Sequence, residues 1–237
     1  MFLRISRYAA VIAILSIPAT LSALSPIVHD TAEEFSNINN PNGVWRYGYS
    51  ATLGGALTLH VDNGPHPAYT TIDNWHTDLG YGIPVILRNS TALTVTNDTG
   101  TIVLAPGQLA QHPGTGGQFS VVRFTSPFPS VFNVSGSFFG ADIAGTTTDA
   151  HILKNGSSLL DGLVNGFGAG TGPSFNLNIS LNAGDQLDFA VGWGANNEFS
   201  FDSTGMEAVI TQVPEPATLV LVGLAGCALA PRWKRRV

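Results

Sequence analysis

The sequence predicts an all-β protein whose central part, residues 24–212, forms an antiparallel β-sandwich or jelly roll. Short β-rich segments follow one another along the chain, and each is bounded by Gly, Pro, Asn or Asp. The segment Phe175–Leu181, FNLNISL, alternates apolar and polar residues, which places the two kinds on opposite faces of a strand. No segment sustains the apolar period of an amphipathic helix. Many short strands separated by turns are typical of double-sheet folds.

Eleven segments are predicted as strands, and two turns between them have a clear chemical basis. Asn155-Gly156 predicts a hairpin turn, because these residues accept the positive φ angles that such a turn requires. The segment Asn182–Asp185 predicts a second turn. The strands are VWRYGYSA (44–51), ALTLHV (56–61), PVILRN (84–89), ALTVTN (92–97), TIVLA (101–105), QFSVVRFT (118–125), VFNVSGSFF (131–139), AHILKNG (150–156), FNLNISL (175–181), QLDFAVGW (186–193) and EAVIT (207–211).

Residues 1–23 are predicted to be a secretory signal peptide, which signal peptidase would remove. Arg4 and Arg7 precede an apolar run over residues 8–17, and small residues follow, with cleavage expected near Ser22 or Ala23. A membrane anchor or a buried helix is the alternative, but the run is shorter than the roughly 20 residues that a spanning helix needs. We therefore expect residues 24–212 to be exported.

The charge of the central part excludes one class of partner. It contains four basic residues, Arg46, Arg88, Arg123 and Lys154, against fifteen acidic residues. A nucleic-acid-binding protein needs a basic surface, so we expect no nucleic-acid partner. The single cysteine, Cys227, lies outside the central part, so we expect a core without disulfides.

The C-terminal residues 213–237 have three parts in a fixed order. A motif over residues 213–216 contains Pro214, Glu215 and Pro216, a short apolar helix is expected over 217–231, and a basic tail covers 232–237. The uncharged stretch is too short to span a bilayer comfortably. Basic residues after an apolar run hold that end in the cytoplasm. The charges expected to do so are Arg232, Lys234, Arg235 and Arg236.

This tripartite ending resembles the PEP-CTERM sorting signal, a tail that is also called the ice-binding protein C-terminal domain. The resemblance implies a Gram-negative bacterium, export across the inner membrane and transient anchoring through the apolar helix. It also implies an exosortase, which would cut near Pro214, Glu215 and Pro216 and release the protein to the cell surface or the extracellular matrix. Proteins with this tail are associated with exopolysaccharide and biofilm. An ordinary C-terminal anchor that is never cut is the alternative.

Three aromatic residues are candidates for glycan contact, because flat rings stack on the apolar faces of sugars. Trp75, Tyr81 and Trp193 lie in polar or glycine-rich segments that read as loops, where binding residues are common. Trp75 and Trp193 could equally form lids over the edge of the core. Trp45, Tyr47 and Tyr49 alternate and would lie on one side of a strand, where we expect core residues, with a glycan platform as the alternative.

Acidic residues and histidines do not form a recognisable catalytic or metal motif. Calcium binding by Asp-rich loops is a secondary expectation, since capping of turns by Asp is more common. The candidate pairs are Asp73 with Asp78, Asp142 with Asp149, and Asp185 with Asp188. No cofactor and no catalytic residue is predicted. The sequence predicts a non-enzymatic surface or matrix protein with a structural or adhesive role. The alternatives are a carbohydrate-binding module, with or without calcium, and a secreted polysaccharide hydrolase.

Overall fold

A computed structural model describes residues 25–66 and 68–214, and residues 26–214 form one compact unit. The predicted signal peptide (1–23), Glu215, Pro216, the apolar segment (217–231) and the basic tail (232–237) lie outside the described residues. Within the described residues, no helix has the length and apolar character needed to cross a membrane.

The described chain is all-β, with strands β1 to β15 and one turn of 3-10 helix at Gly194–Asn196. The strands are β1 (Val28–Asp30), β2 (Trp45–Ser50), β3 (Thr58–Leu59), β4 (Asp73–His76), β5 (Val85–Arg88), β6 (Val95–Thr96), β7 (Val103–Leu104), β8 (Leu109–His112), β9 (Phe119–Thr125), β10 (Ser130–Gly140), β11 (Thr146–Lys154), β12 (Ser157–Gly166), β13 (Ser174–Leu181), β14 (Gln186–Gly192) and β15 (Thr204–Gln212).

The strands form two large antiparallel sheets. Sheet A has the order β13-β10-β15-β8-β5-β4, and β1 also pairs with β15. Sheet B has the order β12-β11-β14-β9-β2-β3, and β6 and β7 form a separate hairpin. The connections β8–β9, β10–β11 and β14–β15 each pass from one sheet to the other. The antiparallel double-sheet fold predicted from the sequence is therefore observed.

The main core lies between the two sheets because their strands alternate apolar and polar residues. In β13, Phe175, Ile179 and Leu181 are buried, while Asn176 and Asn178 between them are exposed. Trp45 and Tyr47 are buried in the same core, as expected from the sequence. A second apolar cluster joins Val85 and Leu87 of β5 to Leu104 of β7, so the segment with the β6–β7 hairpin packs against sheet A.

Four strands, β1, β4, β8 and β12, fall outside the predicted segments. The interpretation of residues 73–78 as a loop was wrong for residues 73–76, which form β4 and pair with β5. The sequence DNWH does not show the alternation of a half-buried strand, because the polar residues Asn74 and His76 are buried along with Trp75. The predicted hairpin turn is confirmed, with φ of 50° at Asn155 and 81° at Gly156.

The strand registers place longer connecting segments at one end of the unit and short connections at the other. The first end, here called the loop end, carries segments 77–84, 113–118, 141–145, 167–173 and 193–203. The second, here called the turn end, carries the short connections 126–129, 155–156 and 182–185. The two ends of the described chain also lie at the turn end, where the Gln212 amide donates to the Ile27 carbonyl (2.8 Å).

Candidate functional site

Tyr81 is presented at the tip of a tightly bonded loop, residues 77–84. Its side chain is 81% exposed, and its backbone adopts a left-handed conformation with φ of 58°. The Leu79 amide donates to the Ile83 carbonyl (3.1 Å). Asp78 Oδ1 accepts the amides of Gly80 (3.0 Å) and Gly82 (2.9 Å), one on each side of Tyr81. The ring is therefore held out into solvent by a loop that has little freedom to collapse.

Two buried histidines support this loop from below. The Ala68 amide donates to His66 Nδ1 (3.0 Å), so Nε2 carries the proton and donates to the Gly82 carbonyl (2.7 Å). His60 Nδ1 lies 3.0 Å from Thr77 Oγ1. Burial lowers the pKa of His60 to about 3 and lowers the pKa of His66, so both side chains are neutral near neutral pH.

Phe199 provides a second ring beside Tyr81. The ring centroids lie 5.8 Å apart, and the planes are inclined by 29°, which is a stacked arrangement. Phe199 belongs to segment 193–203, where Glu198 Oε1 accepts the Ser200 amide (3.0 Å). An aromatic pair of this kind stabilises the conformation of both rings. Phe199 is not predicted from the sequence as a site residue, because its segment, GANNEFSF, shows neither strand nor helix periodicity.

Trp193 and Tyr81 lie on segments joined by a third loop, residues 113–118. Thr115 Oγ1 donates to the Leu79 carbonyl (3.0 Å) in the Tyr81 loop. Gly117 lies against the half-buried ring of Trp193, close enough that a side chain at Gly117 would collide with it. Trp193 therefore belongs to the same end of the unit, but part of its ring serves to pack the loop.

Trp75 is corrected from a surface candidate to a core residue. Its side chain is only 6% exposed, and it belongs to the main cluster between the sheets. Its indole Nε1 donates to the Ser36 carbonyl (2.5 Å). A sugar needs an accessible ring face, and the Trp75 ring is covered by the protein. The structure thus places two of the three predicted aromatic residues, Tyr81 and Trp193, at the loop end.

The exposed carboxylates near Tyr81 remain ionised well into the acid range. The amides of Gly82 and then Gly80 lower the pKa of Asp78. Hydrogen bonds from Ser200 lower the pKa of Glu198. Because the charged carboxylate accepts these bonds better than the neutral acid does, ionisation is favoured. Each of the two segments that hold the aromatic pair therefore carries an exposed negative charge.

Asp202 is a buried acid in the same segment. Its Oδ1 accepts the Thr147 amide (3.1 Å) and hydroxyl (3.2 Å), and its Oδ2 is buried without a hydrogen-bond partner among the described residues. Burial raises the pKa of Asp202 to about 7, against the opposing effect of the Thr147 bonds. A protonated carboxyl group accounts for this burial, since an unpaired buried charge is costly.

The acidic pairs considered for calcium each have a structural role. Asp142 Oδ1 caps the Ala144 amide (3.0 Å), and Asp185 Oδ2 accepts the Asn182 amide (2.8 Å). Asp188 forms a two-bond pair with Arg123, at 2.5 and 2.8 Å. Across residues 25–66 and 68–214, no group of three or more His, Cys, Asp or Glu side chains has a geometry suited to a metal ion.

Asp149 belongs to a cluster on the outer face of sheet B. His151 Nε2 lies 3.0 Å from Asp149 Oδ2, and His151 Nδ1 lies 2.6 Å from Asp161 Oδ1. Burial lowers the pKa of His151, but the two carboxylates outweigh this effect and raise it. His151 thus joins β11 to β12 between two carboxylates, and it is too buried to reach a substrate.

A separate groove crosses the outer face of sheet A beside the β6–β7 hairpin. Its volume is about 280 Å³, and Phe139, Phe167 and Glu207 are among its lining residues. Phe167 is 47% exposed, so the groove offers a second aromatic surface. Of the predicted processing residues, the structure describes Pro214 alone, which is exposed at the end of the described chain.

Comparisons with known proteins give little further information. No family model matches the chain, and no curated protein matches it. The isomalto-dextranase of Arthrobacter globiformis T6 complexed with panose is 10% identical, with a TM-score of 0.28, over 71% of this chain and 23% of that one. A family 35 carbohydrate-binding module from Clostridium thermocellum is 13% identical, with a TM-score of 0.24, over 54% of this chain and 98% of that one. The chain thus spans less than a quarter of the first structure. Both likenesses are too low to support a functional conclusion.

Proposed function

We propose that this protein is an exported, non-enzymatic β-sandwich protein of the cell surface or extracellular matrix, and that it contacts polysaccharide through its loop end. The observation that carries the glycan part is the exposed ring of Tyr81, stacked on Phe199 and fixed by Asp78. A rigid, accessible ring can stack on a sugar without first losing conformational freedom. Exposed Asn196, Asn197 and Glu198 directly precede Phe199 in the same segment and carry groups that can hydrogen-bond to hydroxyl groups.

The direct test is a glycan-array screen of the purified protein, with calcium and with chelator, followed by titration of the best ligand. We expect saturable binding that Tyr81→Ala weakens by at least about tenfold and that Tyr81→Phe retains, because the ring face makes the contact. The melting temperature of both variants should stay near that of the parent protein, since Tyr81 is exposed.

Two control variants locate the site. Leu159→Ala removes a side chain that is 42% exposed on β12, close to the hairpin 155–156 at the turn end, and should leave binding unchanged. Phe167→Ala removes the exposed ring of the groove on sheet A. Loss of binding with Phe167→Ala but not with Tyr81→Ala would move the site to that groove. No binding to any glycan would contradict the glycan part of the proposal.

The sorting part rests on the sequence and has its own test. Replacement of Pro214, Glu215 and Pro216 by Ala should leave a heavier, membrane-bound form in the native host, because an exosortase could no longer cut the tail. The secreted form of the parent protein should be lighter by about the mass of the segment after the motif. An unchanged mature mass in the variant would contradict sorting through this tail.

A further inference from the structure

The loop end carries charge of one sign. Its segments contain the acidic residues Asp78, Asp142, Glu198 and Asp202 and contain neither Lys nor Arg. Asp142 and Asp202 are buried, and burial raises the pKa of each. Asp78 and Glu198 are exposed, so these two supply the surface charge of the loop end.

Both exposed carboxylates belong to the segments that hold the ring pair. Asp78 is three residues before Tyr81 and binds the amides on either side of it. Glu198 directly precedes Phe199, whose ring is stacked on Tyr81. A ligand that covers the Tyr81 ring therefore lies in the field of two negative charges, which are partly screened by salt.

The basic residues of the described chain are occupied elsewhere. Arg123 is paired with Asp188, Lys154 lies 3.5 Å from Asp185, and Arg88 lies 3.8 Å from Glu33. The fourth, Arg46, donates to Thr125 Oγ1 (2.7 Å). Lys154 is at the turn end, next to the hairpin 155–156. An anionic sugar at Tyr81 would thus meet like charges and no local cation.

We infer that the loop-end site selects glycans with protonated amino groups, namely polymers of glucosamine that carry free amines, over N-acetylated and uronic-acid polymers. This inference rests on the proposed glycan contact at Tyr81. The sugar ring stacks on Tyr81, and the ammonium group is attracted both by the ring face and by the carboxylates of Asp78 and Glu198. N-acetylation removes the positive charge, and a uronate reverses it.

The test compares three oligomers of equal length, glucosamine, N-acetylglucosamine and galacturonate, by titration calorimetry with the purified full chain at about pH 6, where the amine is protonated. We expect the glucosamine oligomer to bind at least about tenfold more tightly than the other two. The preference should shrink with added salt and disappear near pH 9, because the amine loses its charge there.

Variants of nearly equal shape identify the charges responsible. Asp78→Asn and Glu198→Gln keep an oxygen acceptor for the loop amides but remove a negative charge, and each should reduce the preference by about threefold or more. Glu207→Gln removes an exposed negative charge from β15 on the outer face of sheet A. It should leave the preference unchanged, which separates local charge from net charge.

The outcomes distinguish this inference from the function on which it rests. Binding of any of the three oligomers that depends on Tyr81 but shows no preference for the amine would overturn the inference and leave the glycan site in place. A preference that Glu207→Gln reduces as much as Asp78→Asn would also overturn it. Absence of binding to all three oligomers and to the glycan array would overturn both.

Discussion

The two ends of the unit use polar side chains in opposite ways. At the turn end, polar side chains pair with one another: Asn155 Nδ2 donates to Asp185 Oδ1 (3.0 Å), and Lys154 Nζ lies 3.5 Å from Asp185 Oδ2. At the loop end, the polar groups bind the backbone from below and leave Tyr81 uncovered. Polar side chains thus cover the surface at the turn end, whereas at the loop end they leave the Tyr81 ring exposed.

The two ends should also respond differently to a drop in pH. His60 and His66 support the Tyr81 loop in the neutral form, whereas Asp185 at the turn end acts as a charged acceptor whose pKa is lowered by the Asn182 amide and by Asn155. Mild acid should therefore weaken the loop end while the turn end keeps its interactions. We therefore expect the turn end, where polar side chains pair with one another, to be insensitive to mild acid, and the loop end, which is supported by neutral histidines, to be sensitive to it.

The largest effect should separate Trp75 and Tyr81, two aromatic residues predicted as glycan contacts that the structure assigns to different roles. Trp75→Ala should lower the free energy of unfolding by about 3–5 kcal/mol, because it leaves a cavity in the main core. Tyr81→Ala should change it by less than about 0.5 kcal/mol, since the ring is exposed. Urea unfolding measures both. Equal destabilisation by the two variants would show that Tyr81 is a structural residue.

Acid should reduce stability through the buried histidines. Burial lowers the pKa of His60 to about 3 and of His112 to about 4, so the unfolded chain binds these protons first. The contribution of these histidines to the free energy of unfolding is fully present above about pH 6.5. It falls as the pH drops toward those pKa values, by up to about 1.4 kcal/mol per pH unit for each histidine.

Thermal unfolding followed from pH 8 to pH 4 checks this expectation. His60→Gln removes one titrating group and should make the acid limb shallower, whereas the exposed-surface variant Glu207→Gln should leave its slope almost unchanged. An acid limb that is identical in His60→Gln and the parent protein would exclude His60 as its source.

A glycine under Tyr81 gives a more local test. Gly82→Ala should weaken ligand binding and cost more than the roughly 1–2 kcal/mol of a left-handed alanine, because its methyl group would collide with the His66 ring. Gly100→Ala is the matched control, since both glycines have φ of 74° and Gly100 has open space around it. Only Gly82→Ala should reduce binding. Equal losses of stability would mean that backbone strain alone acts at Gly82.

The smallest effect should come from the turn end. Asp185→Ala removes the acceptor of Asn155 Nδ2 and of the Asn182 amide, and should lower stability by about 0.5–1.5 kcal/mol. Glycan affinity, measured by titration calorimetry, should not change, because the substitution lies at the opposite end from Tyr81. A change in affinity comparable to that of Tyr81→Ala would break the distinction between the two ends.

The sequence predicts best where local chemistry decides the structure. The alternation of Phe175–Leu181 and the positive φ angles required at Asn155-Gly156 follow from a few neighbouring residues, and both are confirmed. The polar neighbours of Trp75 predict a surface loop and give no sign of a buried strand. The burial of that strand depends on its pairing with β5, which is not a local property of the sequence.

The site itself depends on contacts between distant segments. His66 and Gly82 are separated by 16 positions, and the rings of Tyr81 and Phe199 come from different connections between strands. The periodicity of a short sequence segment does not predict such contacts, because they form only when the folded sheets bring the loops together at one end. Tyr81 could be chosen from the sequence as an aromatic residue among glycines, but its partner could not.

The pairing of β1 with the last residues of β15 has a further consequence for how the protein is displayed. Ile27 and Gln212 leave the unit side by side, and the eleven-residue strand β10 spans about 35 Å between the two ends. A tether joined to the chain directly before Ile27 or after Gln212, whether an affinity tag, a sensor surface or a neighbouring domain, therefore attaches on the far side from Tyr81. When residues 27–212 are immobilised in this way, the aromatic pair faces away from the support and is accessible to long polymers.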